Sequence, residues 1–284
     1  MLLLRALLVV SMLLSAGLLS AGDALAAPLL YVVRDFDPEL RTVDASNAAT
    51  VSTQTLSLPG ETVLGASGLA RHPTAGALYG LLWLDGQVGR ELVTIDPVTG
   101  VATSVGDTGN YFTSLAFDGA GTLYTVSHDD AVAAEELYTL SLATGFPSFV
   151  TALGNGGYGE ALGFDPADGL LYHASGYPGD DPVFESLDPG NGFLATGLAL
   201  SGDPFDEVLG LTQDGAGGLF MTDYLGIGGV SNLYAVDPVG ATVTLVGGLG
   251  FSDARGLVVV PEPSTALLVL AGLGWIGRTR RHRR

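Results

Sequence analysis

Residues 91–106 read ELVTIDPVTGVATSVG, and the rest of the chain is built from looser copies of this stretch. Leu92, Thr94 and Asp96 alternate with Val93, Ile95 and Pro97, so in an extended strand the two sets point to opposite sides. Asp-Pro-Val-Thr-Gly at 96–100 suits a tight reversal. Pro97 fixes φ, the Asp96 carboxylate can accept from amides beyond it, and Gly100 tolerates a positive φ. The unit is a β-hairpin. Copies recur at Leu233–Gly247 (LYAVDPVGATVTLVG), Leu137–Thr151 and Phe184–Thr196, with a degenerate one at Leu40–Thr53.

A second hairpin precedes most copies: a Leu-led strand, an Asp- and Gly-rich turn, then Leu-Tyr. It reads LARHPTAGALY at Leu69–Tyr79, LAFDGAGTLY at Leu115–Tyr124, LGFDPADGLLY at Leu162–Tyr172 and LGLTQDGAGGLF at Leu209–Phe220. The leading leucines 69, 115, 162 and 209 lie 46, 47 and 47 residues apart, and Leu257 follows after 48. Tyr79, Tyr124, Tyr172 and Phe220 share one repeat position and read as packing residues. His72 stands where other copies have Asp118 and Asp165, and reads as a turn residue.

Residues 28–58 begin in mid-repeat. The missing Leu-led strand reappears at the far end as Gly256–Val260. An open solenoid would leave raw strand edges at both ends. A last strand that completes the first sheet closes a ring instead, as in β-propellers with four-stranded blades. The predicted fold is all-β: one propeller of five blades, formed by 28–66 with 256–260, then 67–112, 113–159, 160–206 and 207–255. A repeating β-sandwich is the chief rival.

Composition fits. The 284 residues include 42 Gly and no Cys, and 47% are hydrophobic. Frequent Gly without a collagen period suits many tight turns. Residues 28–260 hold 28 acidic residues against five Arg (34, 41, 71, 90 and 255) and no Lys, a net −23. Such a surface repels nucleic acid and anionic lipid, and attracts cations.

The two ends differ from the middle. Residues 1–26 read as a cleaved secretory signal, with Arg5, an apolar run over 6–19 and Ala24-Leu25-Ala26 as the cleavage site. The propeller is assigned 27–260. Residues 261–284 read PEPSTALLVLAGLGWIGRTRRHRR. Pro261, Glu262 and Pro263 end the last strand. Residues 266–277 form a short apolar stretch expected to anchor transiently in the inner membrane, with the Arg-rich tail on the cytoplasmic side.

This segment resembles the PEP-CTERM sorting signal of Gram-negative bacteria. The resemblance implies recognition by exosortase-type machinery, processing near Pro261-Glu262-Pro263, and display or release at the cell surface, often in makers of exopolysaccharide. The repeats also resemble propeller domains found ahead of such signals. Neither likeness states what the domain binds.

Candidate sites follow from the repeat. Two positions before each leading Leu stand Ser67, Thr113, Glu160, Glu207 and Arg255, expected to ring one channel mouth. Glu160 and Glu207 are the pair that could hold Ca²⁺ or another divalent cation. The loops between second and third strands, on the same face, carry Trp83, His128, Asp129, Asp130, Tyr177, Asp180, Asp181, Asp223 and Tyr224. Aromatics mixed with carboxylates suit sugar or Ca²⁺. No EF-hand loop, Walker loop or Gly-x-Ser-x-Gly elbow is present. The expectation is a non-catalytic surface or matrix protein without a cofactor, binding a polysaccharide or a matrix protein. The alternative is a metal-dependent propeller enzyme of lactonase or lyase type.

Overall fold

A computed structural model describes residues 28–127, 135–153, 161–176, 182–224 and 229–260. In chain order, β1 (Leu29–Arg34), β2 (Asp37–Asp44) and β3 (Thr50–Thr55) open the first sheet. β4 (Val63–Arg71), β5 (Leu78–Leu84), β6 (Glu91–Ile95) and β7 (Ala102–Asp107) form the second. β8 (Ala116–Phe117), β9 (Leu123–Val126), β10 (Glu136–Leu140) and β11 (Pro147–Ala152) form the third. β12 (Ala161–Asp165), β13 (Leu170–Ser175), β14 (Val183–Asp188) and β15 (Leu194–Gly197) form the fourth. β16 (Ser201–Gly202), β17 (Glu207–Gln213), β18 (Leu219–Tyr224), β19 (Asn232–Asp237) and β20 (Thr242–Gly248) form the fifth. β21 (Ala254–Val259) returns to the first sheet, beside β1.

The innermost strands touch in a closed cycle: β21 to β4, β4 to β8, β8 to β12, β12 to β17 and β17 to β21. The fold is the expected five-bladed propeller. Two details differ from the repeat pattern. β16 adds a parallel fifth strand to the outer edge of the last blade, with Ser201 opposite Thr242. The innermost strand of the first blade starts at Ala254 rather than Gly256.

Each apolar cluster sits between two neighbouring blades. Val93 and Ile95 pack with Leu40, Leu56, Leu69 and Val258, between the first and second blades. Leu92 packs with Phe112, Leu115 and Leu123, between the second and third. Alternation along β6 therefore separates two dry interfaces, not core from water, so apolar residues occupy both registers. Burying a side chain such as Leu92 fully stabilises the fold by about 1.5–3 kcal/mol. Only the outer strands show solvent alternation or none; β3 is exposed along most of its length. Tyr124, Tyr172 and Phe220 are buried, as their repeat position implied.

Ring closure rests on β1 and β21. Their ladder pairs Leu30 with Val259, Tyr31 with Val258, Val32 with Leu257 and Val33 with Gly256. β21 runs from the face bearing the loops between second and third strands, here called the top, to the opposite face. β1 runs back. Leu29 and Val260 therefore meet at the bottom face, where the Val260 amide donates to the Leu29 carbonyl at 2.7 Å.

The turn at 96–100 forms as read. Asp96 Oδ1 accepts from the Val98 amide at 2.9 Å and Oδ2 from the Thr99 hydroxyl at 2.9 Å. Those bonds hold the Asp96 carboxyl below its usual pKa. Gly100 has φ +74°, and a Cβ there would stand 2.2 Å from the Thr55 carbonyl oxygen of the neighbouring blade. Gly100→Ala is expected to cost about 1–3 kcal/mol, through backbone strain and a forced blade separation. Gly86→Ala is the control, since Gly86 has φ +77° and open space around it. Thermal unfolding of both variants checks this: the midpoint should fall clearly further for Gly100→Ala.

Candidate functional site

The top of the first, second and third blades encloses a cavity of about 180 Å³. Its walls are Asp35 and Phe36 from the β1–β2 turn, Trp83 from β5, Arg90 before β6, Tyr111, Phe112 and Thr113 from the segment leading to β8, and Arg255 from β21. Repeat geometry explains the convergence. The second-to-third strand turns and the starts of innermost strands all fall on the top face.

Arg90 is a buried member of this lining. It is 5% exposed. Its Nη2 donates to Asp35 Oδ1 at 2.8 Å. Its guanidinium carbon lies 5.2 Å from the Trp83 ring and 5.3 Å from the Tyr111 ring, so two aromatic faces flank the charge. Phe36 meets Trp83 edge to face at 5.6 Å and is 64% exposed. Burial pushes the Arg90 pKa down, and the Asp35 carboxylate opposes that shift. Gly65 lets the turn approach: its Cβ would lie 1.7 Å from the Asp35 carbonyl oxygen.

Arg255 enters beside this pair. Its Nε donates to Asp253 Oδ1 at 2.9 Å and lies 3.6 Å from Asp35 Oδ2. Asp253 is buried at φ +65°, a left-handed backbone that non-glycine residues adopt at a cost. Arg34 pairs with Asp37 at 3.2 Å, and Arg41 pairs with Asp37 at 2.8 Å while lying over the Phe251 ring. Four of the five arginines in 28–260 thus gather on and beside the top of the first blade.

The expected channel-mouth ring is only partly assembled. Thr113 and Arg255 line the same cavity. Glu207 is the first residue of β17, opposite Tyr224, and is 5% exposed. Ser67 sits within β4, fully buried, and its hydroxyl donates to the Phe112 carbonyl at 3.1 Å. Counting two residues back from Leu69 misses a bulge, because β4 begins at Val63 and shifts register between Ser67 and Leu69. Glu160 lies outside the described residues.

Among the loop candidates, Trp83 belongs to the cavity. Asp223 is wholly buried, accepting from the Asn232 amide at 2.8 Å and the Tyr234 hydroxyl at 2.7 Å. Burial, and then that bond, push the Tyr234 phenol up. Asp223 therefore braces β18 against β19 rather than facing a loop ligand. Tyr224 ends β18. His128, Asp129, Asp130, Tyr177, Asp180, Asp181, Pro261, Glu262 and Pro263 lie outside the described residues, as does the apolar stretch 266–277. Among the described residues no helix is long and apolar enough to cross a membrane.

Sequence reading missed Asp35, Phe36, Arg90, Tyr111 and Asp253. The rarity of arginine was the available signal. It also missed a buried bridge between the third and fourth blades. His173 Nδ1 stands 3.0 Å from Glu185 Oε1, and its Nε2 stands 3.3 Å from Glu135 Oε2. The two carboxylates lie on opposite sides of one ring. Among the described residues no group of three or more His, Asp or Glu is arranged to hold a metal ion. His72 is a turn residue: its Nδ1 accepts from the Ala75 amide at 3.2 Å.

A second cavity, about 330 Å³, opens at the bottom mouth of the channel. Its lining mixes apolar residues such as Leu115, Phe164 and Leu211 with the polar Arg71, His72, Thr212 and Gln213. Its Asp118 carboxylate is occupied within its own turn, accepting from the Ala120 and Thr122 amides. The top cavity is smaller but holds the buried charge and the exposed aromatics.

Burial raises the Asp253 carboxyl above its usual value near 3.8, against the pull of Arg255. Between the unfolded and folded pKa values the folded state binds more proton. This group's contribution to stability therefore falls as pH rises from about 4 through the folded pKa. Asp253→Asn removes that slope and suits the left-handed backbone. Denaturant unfolding from pH 4 to 7 should show the variant gaining stability relative to the parent as pH rises.

Residues 259–284 match the family model described as the PEP-CTERM protein-sorting motif. No curated protein matches the chain. Solved structures share the fold. A chain of a nidogen/laminin complex aligns at 12% identity and TM-score 0.53, covering 83% of this chain and 99% of that one. A protein of unknown function from Bacteroides caccae aligns at 13% and 0.55, covering 83% and 100%. A structure described as putative TolB from Agrobacterium tumefaciens aligns at 12% and 0.50, covering 82% and 91%. The chain is therefore a five-bladed β-propeller that ends in a PEP-CTERM protein-sorting motif.

Proposed function

We propose that this protein is a non-catalytic, surface-displayed propeller that binds a glycan of the extracellular matrix through the top-face cavity. The observation that carries the reading is the cavity itself. Exposed Phe36 and Tyr111, with Trp83, surround a buried, ion-paired Arg90. Flat aromatic surfaces stack on sugar rings, and a few fixed polar groups set orientation. At about 180 Å³ the cavity is below the usual range for small-molecule sites, so it suits one sugar of a longer chain.

The sorting motif implies export and surface sorting by exosortase-type machinery. Topology supports display in one orientation. Residue 260 leaves from the bottom face, so a chain held by its C-terminal segment presents the top cavity away from the anchor. A secretory signal over 1–26 belongs to the same reading.

A glycan array probed with the full chain in detergent tests it. The expected result is a defined set of bound glycans, with affinity lowered about tenfold or more by Trp83→Ala. An array without a bound glycan, with capture of a matrix protein instead, contradicts the glycan reading.

A further inference from the structure

We infer that the sorting motif docks on its own domain: Arg71 pairs with Glu262 and seats Pro261-Glu262-Pro263 in the cavity at the bottom mouth of the channel. The inference is independent of the glycan reading of the top face.

The first support is where the chain leaves the fold. β21 ends at Val259, and Val258 and Val259 line the bottom cavity together with Arg71, the last residue of β4. β21 and β4 are neighbouring innermost strands in contact. Glu262 follows Val259 by three residues, a reach of up to about 10 Å in extended chain. At about 330 Å³ the cavity is of ligand size, so it suits a short segment rather than another domain.

The second support is an arginine with donors to spare. Four of the five arginines in 28–260 gather at the top of the first blade. Arg71 stands apart from them at the bottom and is exposed. Its Nε donates to the Gly76 carbonyl at 3.1 Å. Among the described residues its Nη1 and Nη2 have no hydrogen-bond or ion-pair partner. Those two nitrogens present to a carboxylate the geometry that it accepts best.

The third support is local charge. The third and fourth blades place Asp118 and Asp165 in the corresponding turn, each carboxylate accepting from amides of its own turn. In the second blade His72 does that work. Its Nδ1 accepts from the Thr74 and Ala75 amides at 3.3 and 3.2 Å, and the aspartate's negative charge is missing beside Arg71. Glu262 is the one acidic residue of 261–284. A domain of net −23 repels free anions, whereas a tethered carboxylate is held at high local concentration. The fixed φ of Pro261 and Pro263 lowers the cost of ordering the segment, and apolar lining such as Leu69 and Val258 offers their rings a surface. A docked motif turns the bottom face toward the apolar stretch that follows it, and the top face away.

The test uses the absence of lysine from the chain. Arg71→Lys keeps the positive charge at an exposed position and introduces the one side-chain amine. A carbodiimide joins an amine to a carboxylate in direct contact with it. The full chain in detergent is treated, and its crosslinks are mapped by mass spectrometry. The expected result is a dominant amide link between positions 71 and 262 within the monomer, lost on adding Glu262→Gln.

Links from position 71 confined to Asp96 or other aspartates of the domain overturn the inference. A link between 71 and 262 found only in covalent dimers overturns it as well, and gives the cavity to the motif of a second copy.

Discussion

The pairing of β21 with β1 is the constraint on which the rest depends. Without it the first blade lacks its innermost strand, and the cycle of inner-strand contacts is open. The pairing also completes two interfaces at once. Val258 packs toward the second blade and Leu257 toward the fifth. Closure makes all blade faces interior, which is why a domain of net −23 keeps apolar residues in both strand registers. Most of the charge is left to turns and outer strands, and the exceptions inside the blades, Asp223 and the His173–Glu185–Glu135 bridge, are buried with polar partners.

The same pairing builds the candidate site. Arg255 belongs to β21, and Asp35 to the turn after β1. The two are more than 200 residues apart in the chain and 3.6 Å apart in space. Arg90 comes from the second blade and joins them through Asp35. The cavity thus sits at the top end of the ring's seam, whose bottom end is tied by Leu29 and Val260. Asp253, strained and buried beside Arg255, is held in place by the same seam.

The architecture was legible because a period of 46–48 residues exposes strand number, turn chemistry and the split first repeat together. Asp96, Gly100 and the leading leucines behave as read. The site was legible only in part. Position in the repeat located Trp83, Thr113 and Arg255 on one face. It misplaced Ser67, because Gly68 at φ +54° forms a bulge that carries β4 against the next blade. It could not reveal Arg90. Arg90 and Glu135 occupy equivalent slots before the third strand, yet one reaches Asp35 of the preceding blade and the other His173 of the following one. Such contacts across blades depend on side-chain length and neighbour identity, and a period carries neither. Asp223 illustrates the converse: it falls in a loop by count and in a buried brace by structure.

Hydrogen exchange across the closing seam tests the central claim most directly. Backbone amides are protected to the extent that their strand opens only with the whole domain. Peptides covering residues 30–34 and 254–259 should exchange as slowly as the central strand β5, and far more slowly than the exposed edge strand β3. Rapid exchange of 254–259 at the rate of β3 would mean that β21 is not a closing strand, and the ring and the site built on its seam would both fall.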